Sequence, residues 1–187
     1  MGRWEPNARG RLEQAALELY SERGFEQATA AEIAARAGLA ERTFFRYFAD
    51  KREVLFRGAG ELQELLVDKV ATAPDSLAPI DAVAIALEAL GAVFHQREYS
   101  RLRQKIIAAN AELQERELIK LATLSTALAD VLRRRGVAEP AASLTAEAGI
   151  AVFKVTFQRW IDDTNDRDFG QLVRESLAEL RAVTAGK

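Results

Sequence analysis

The stretch from Thr29 to Lys51, TAAEIAARAGLAERTFFRYFADK, constrains the fold more than any other part of the chain. Thr29 and Glu32 stand three residues apart, the spacing of a capping box in which each side chain satisfies a backbone N–H at a helix start. Ile33, Ala34 and Ala37 then recur at helical spacing, and Gly38 follows where a left-handed residue would end the helix. Leu39 and Phe44 are spaced to staple the entry of a second helix. That helix puts Phe44 and Phe48 on one face and Arg42, Phe45 and Arg46 on another, with Thr43 and Tyr47 beside them. Asp50 and Glu53 read as the cap of the next helix. Two helices joined by a short turn containing glycine form a helix-turn-helix. A braced second helix carrying cationic and aromatic groups outward has the composition of one that enters a DNA major groove.

Composition narrows the rest. The 187 residues suffice for one domain or two small ones, and the formal net charge is only −2, so a DNA-facing basic patch must be local. With no cysteine, disulfides and thiolate metal sites are excluded. His95 is the single histidine and has no second ligand at metal-binding spacing. No apolar run approaches the roughly 20 residues of a membrane span, and Met1 to Pro6 has no signal-peptide core, so a cytoplasmic protein without a membrane partner is expected. Few prolines and no β-branched runs predict an all-α fold. No carboxylate pair, Ser-His-Asp set or glycine-rich phosphate loop has supporting context, so neither an enzyme nor a cofactor is expected.

Along the chain, residues 1–8 read as an arm from which Arg3, with Arg9 and Arg11, can reach phosphates. Helices are predicted at Arg9–Arg23, Lys51–Ala73, Asp81–Arg97, Tyr99–Ala109, Leu113–Arg135, Pro140–Asp163 and Phe169–Ala182. With the two of the helix-turn-helix this makes about nine. Gly58 and Gly60 fall inside the long 51–73 helix and each weakens it by about 1 kcal/mol relative to alanine. Pro74 to Pro79 is the one clear break. The predicted domains are a helix-turn-helix domain at 1–50 and a helical bundle at 51–187. The 81–97 and 140–163 helices are apolar around most of their circumference, as central or partner-covered helices are.

The residues from about Arg9 to Arg57 resemble the DNA-binding domain of TetR-family transcriptional regulators. The resemblance rests on Gly24-Phe25, Thr29, Ile33-Ala34, Ala37-Gly38-Leu39, Thr43 to Phe48, and Lys51. It departs at Ala40, where many members carry a capping serine. The resemblance implies DNA contacts at Thr29, Arg42, Thr43, Phe45, Tyr47 and Lys51, and the chemistry of Arg46 adds a backbone clamp. It also implies a homodimer built on the last two helices, with Ile150, Phe153, Phe157, Trp160, Leu172 and Leu177 at the interface. Such a dimer would read a palindromic double-stranded operator whose half-sites lie about one helical turn apart or somewhat more. A small-molecule effector would bind among the helices from 81 to 161, and Phe94, His95, Arg103, Ile107, Leu124 and Phe153 are the candidate lining. The segment from Arg101 to Ala122 looks like regulators of the MftR type, which suggests an acyl-CoA or another long apolar anion. The expected function is that of a ligand-released repressor. The alternatives are an effector-independent regulator whose second domain only dimerises, and an all-α interaction protein that binds no DNA.

Overall fold

A computed structural model describes residues 7–94, 96–162, 164 and 167–186. Within them the chain is all-helical. Nine α-helices run α1 (Ala8–Arg23), α2 (Ala30–Arg36), α3 (Glu41–Tyr47), α4 (Ala59–Thr72), α5 (Pro79–Ala89), α6 (Arg97–Ala108), α7 (Ala111–Arg134), α8 (Ala141–Asp162) and α9 (Phe169–Thr184), with 3₁₀ turns at Glu53–Phe56 and Leu90–Ala92. His95 and the arm residues 1–6, Arg3 among them, lie outside the described residues.

The chain divides into two compact units: 1–57 with 102–117, and 58–101 with 118–187. The boundary expected near residue 50 is therefore seven residues later, and a segment from the middle of the chain joins the first unit.

In the first unit, α1 packs against α2, α3 and the 3₁₀ turn. Leu12, Leu17, Leu19, Phe25, Ile33, Phe44 and Leu55 are among its fully buried large side chains. Ile107 and Leu113, from the 102–117 segment, are also fully buried. The single long helix predicted over 51–73 is instead a 3₁₀ turn, a break, and α4. Val54, Leu55 and Phe56 are all buried. Three consecutive inward side chains mark a segment enclosed on more than one side, not a helix with a single buried face. Gly58 then adopts φ 82°, a left-handed position that suits glycine, immediately before α4 begins.

In the second unit, α5 packs against α4, α8 and α9, and α8 against α9. The all-round apolar character of α5 reflects that central place: Ala82, Val83, Ala86 and Leu87 are buried. At the α5–α8 crossing, a Cβ on Gly149 would lie 2.6 Å from Cγ1 of Val83, so the close approach depends on the glycine. The α7 helix ends as predicted at Gly136, with φ 85°. Val137 donates to the Leu132 carbonyl and Gly136 to that of Arg133, the paired bonds of a Schellman cap. No described helix is long and apolar enough to cross a membrane.

Candidate nucleic-acid interface

The helix-turn-helix forms as its local chemistry dictates. Thr29 Oγ1 accepts from the Glu32 N–H at 3.2 Å, and Glu32 Oε2 accepts from the Thr29 N–H at 3.0 Å, completing the capping box. The Thr29 hydroxyl also donates to Glu32 Oε2 at 2.9 Å, and this bond first, then the one from the Thr29 N–H, holds the Glu32 carboxyl below the usual carboxylate range. At the other end of α2, Gly38 takes φ 68°, Leu39 donates to the Ala34 carbonyl at 2.8 Å and Gly38 to that of Ala35 at 2.9 Å. This is again a Schellman cap, and it sets the direction in which α3 leaves the turn. Arg36 forks onto Glu22 of α1 at 2.9 and 2.7 Å, and Arg11 of α1 donates to the Ala37 carbonyl.

Phe44 and Phe48, with ring centroids 5.4 Å apart, are both buried and seat α3. Phe45 meets the edge of Phe44 at 5.4 Å yet is 54 % exposed, so a buried ring holds an outward one. Arg42 and Arg46 are exposed, and Thr43 and Tyr47 are half-buried. The Arg46 guanidinium lies 4.9 Å over the Tyr47 ring and donates to its hydroxyl at 3.3 Å. Together these groups form a short outward ridge of two guanidiniums, two hydroxyls and an apolar ring. Such a ridge can fork onto base edges or phosphates, bond phosphate oxygens and touch a thymine methyl.

Three expected contacts take on other work. The Lys51 ammonium, expected as a phosphate clamp, donates to the carbonyls of Phe25, Glu26 and Ala28 at 2.9, 3.2 and 3.1 Å and sits 4.4 Å from the Phe25 ring centroid. Its three N–H donors are spent tying the connector after α3 to the α1–α2 turn. Arg11 is engaged with the Ala37 carbonyl, and Arg9 lies 3.5 Å from Glu13. The Tyr20 hydroxyl donates to the Lys51 carbonyl at 2.7 Å, and burial pushes that phenol upward.

These features decide the family. Residues 13–57 match the bacterial regulatory proteins of the tetR family, and residues 68–185, well over half the chain, match the MftR C-terminal domain. The chain belongs to the TetR family of transcriptional regulators. This TetR-family protein is thus a regulator and not an enzyme. It has an N-terminal helix-turn-helix of the tetR type and a C-terminal helical domain of the MftR type. It is 33 % identical over 82 residues to the HTH-type transcriptional regulator TcmR of Streptomyces glaucescens, a stretch covering 44 % of this chain and 36 % of that relative. FadR of Bacillus subtilis, solved in complex with stearoyl-CoA, matches over 90 % of this chain and 95 % of that one, at 18 % identity and a TM-score of 0.62. NalD of Pseudomonas aeruginosa, the secondary repressor of the MexAB-OprM multidrug efflux pump, matches over 91 % and 94 %, at 19 % identity and a TM-score of 0.56. At these identities the likeness to the two solved structures is one of fold.

The expected effector lining divides between the two units. Phe94 and Phe153 meet at 6.2 Å in the second unit, within an aromatic cluster that includes Phe157, Trp160 and Phe169. Leu124 is buried in the core of that unit. Arg103 and Ile107 belong to the first unit. Ile107 is fully buried there, and the Arg103 guanidinium donates to the Leu55 carbonyl and lies 5.3 Å over Phe56. Arg103 thus serves a carbonyl and a ring of its own unit rather than the mouth of a pocket.

Four of the six residues expected at the dimer interface are buried within their own subunit. Leu172 (0 % exposed), Trp160 (3 %), Ile150 (6 %) and Leu177 (7 %) are spent inside their own subunit. Phe153 and Phe157 are half-buried against Phe94. The outward side of the same two helices carries Leu144, Val155 and Val183, all more than half exposed. Val155 and Ala178 also line an open groove of about 580 Å³ with Arg159, Glu175, Ser176 and Glu179. On α8, Leu144 and Val155 had no signature in the chain, because a helix apolar nearly all round does not reveal its phase.

Proposed function

We propose that the protein is a ligand-released repressor that binds a palindromic operator as a homodimer. The observation that carries operator binding is α3 itself. It is a seven-residue helix seated on buried Phe44 and Phe48, with Arg42, Phe45 and Arg46 turned outward. Thr29, Thr43 and Tyr47 complete the contact set, and Lys51 supports it from inside. The dimer forms through the outward faces of α8 and α9, with Leu144, Val155, Ala178 and Val183 as its apolar content. Two recognition helices related by a two-fold axis then read successive major grooves.

The effector is a small apolar molecule, with a long acyl-CoA as the preferred class. Support comes from the MftR-type C-terminal domain and from the aromatic cluster around Phe94, Phe153, Phe157 and Trp160, beside which Arg97 lies 5.3 Å over the Trp160 ring. Release requires that the effector favour a dimer whose recognition helices do not match the operator spacing, since a ligand shifts only states it binds differently.

The test uses duplexes enriched by the parent protein from a randomised library. Arg42→Ala should weaken binding to the enriched duplex by about 1–3 kcal/mol with unchanged thermal stability. Equal affinity would remove α3 from the interface. Mass spectrometry of co-purifying small molecules, followed by their addition to the protein–duplex complex, tests release. An operator complex indifferent to every such molecule would favour an effector-independent regulator.

A further inference from the structure

The segment 102–117 comes from the middle of the chain, yet it belongs to the same compact unit as the helix-turn-helix. Beyond the buried Ile107 and Leu113, it is fastened to the connector that leads out of the recognition helix. Asp50 Oδ1 accepts from the backbone N–H of Arg52 at 2.8 Å and of Glu53 at 3.2 Å, which starts the 3₁₀ turn. The Arg52 guanidinium bonds Asp50 Oδ2 at 2.6 Å on one side and Glu112 Oε1 at 2.6 Å on the other. Arg116 Nε donates to Glu53 Oε1 at 2.7 Å. Arg103 Nε donates to the Leu55 carbonyl, and its guanidinium covers the Phe56 ring at 5.3 Å. Glu117 lies 3.6 Å from Arg103 and accepts from Gln104 Nε2 at 3.2 Å. The connector at 50–56 is thus tied at three points to 102–117. Through Lys51 it is also tied to the α1–α2 turn. Only Phe48 and Ala49 separate it from α3.

We propose that Arg103, Glu112 and Arg116 are positioning residues for operator binding: they hold the 50–56 connector, and through it the pose of α3, without touching DNA. The proposal rests on operator binding by α3. It reverses the expectation for Arg103, whose loss should now be felt at the operator. The reason is geometric. A seven-residue helix without a side-chain N-cap has little rigidity of its own, so its orientation is set by the segments that flank it on either side. Specific binding needs base edges within hydrogen-bond reach, whereas non-specific binding needs only charge near phosphates. A loosened connector should therefore cost specific binding more than non-specific binding.

The experiment uses the full chain and its substituted variants. Arg103→Met keeps the apolar stem over Phe56 and removes the donors, and Arg103→Lys restores one donor. Glu53→Arg and Arg116→Glu each break one pair, and the double substitution re-forms it with reversed charge. Affinity is read by fluorescence anisotropy on a library-enriched duplex and on a scrambled duplex, and amide exchange is read over residues 41–56 without DNA. Arg103→Met and each single charge reversal should lower affinity for the enriched duplex about tenfold, the loss of one charge-assisted bond. They should leave the scrambled duplex within about twofold and speed exchange over 41–56 without changing it in α8. Arg103→Lys and the double reversal should recover most of both readouts. Parent-like affinity and exchange in Arg103→Met, or a loss shared equally by both duplexes and by exchange throughout the chain, would overturn the proposal. A parent protein that enriches no duplex would instead sink operator binding itself, and exchange over 41–56 would still decide whether these residues hold α3.

Discussion

Ala40→Ser isolates one backbone site at the entrance of the recognition helix. Ala40 has φ −78° and ψ 148°, and no side chain caps the helix it precedes. Eleven residues earlier, Thr29 holds the same extended geometry, φ −109° and ψ 157°, and its hydroxyl accepts the Glu32 N–H. The chain therefore contains both a capped and an uncapped helix start. At α3 the Ala40 carbonyl takes the Thr43 N–H at 2.8 Å. Ala40 is exposed, so a hydroxyl meets no steric obstacle. A serine Oγ in this geometry accepts from the second or third N–H of the helix and should stabilise it by about 1 kcal/mol. In a chain of this size that corresponds to about 2–4 °C in Tm if the units unfold together. It also corresponds to about fivefold slower amide exchange over 41–47. Urea unfolding followed by circular dichroism gives the first quantity and exchange mass spectrometry the second. Ala40→Gly, which adds no acceptor, should not reproduce the slowing. Serine no better than glycine in both assays would refute the argument that an empty cap limits α3.

Val155→Glu places a charge on the outward face of α8, where the native side chain is 54 % exposed, and should convert a dimer to a monomer with unchanged helicity; light scattering that still reports two subunits would move the interface elsewhere. Gly149→Ala drives a methyl against Val83 and should destabilise the second unit by about 1–3 kcal/mol, measured as a lower urea midpoint; an unchanged midpoint would mean that α5 and α8 separate without cost. Asp50 and Glu32 are held below their ordinary values, Asp50 chiefly by the Arg52 hydrogen bond and Glu32 by Thr29. A carboxylate with a depressed folded value adds stability that is complete above its unfolded value, about 3.9 for Asp and 4.3 for Glu, and is lost as pH falls through the folded value. Protection against exchange over 30–36 and 50–56, taken relative to the intrinsic rate at each pH, should therefore fall below about pH 4, and protection that stays constant from pH 6 to pH 3 would contradict the assigned bonds.

The helix-turn-helix was legible because its determinants are local. The Thr29–Glu32 box, the left-handed Gly38 and the Phe44–Phe48 pair each act within five residues, and each is realised. The all-α class and the central place of α5 came from composition and an unbroken apolar surface. The features that escaped are nonlocal. Lys51 looks like a phosphate clamp by its place in the motif, but its donors meet the carbonyls of Phe25, Glu26 and Ala28, which only the folded turn brings together. Arg103 looks like a pocket residue beside Ile106 and Ile107, but its partner Leu55 lies 48 residues away along the chain. The run Val54 to Phe56 is apolar at every position, so its spacing alone does not distinguish a helix from the 3₁₀ turn it forms. On α8, apolar groups on most sides hid which set faces outward, and Val155 replaces Trp160 there.

The central claim is that α3, propped from behind, lies in the major groove. Guanine-N7 methylation interference on a library-enriched duplex tests it most directly, because that atom is reached only from the major groove. Two patches of interference about one helical turn apart or somewhat more, each weakened by Arg42→Ala, are the predicted result. A footprint insensitive to N7 methylation, or a single patch unaffected by changes in α3, would contradict it.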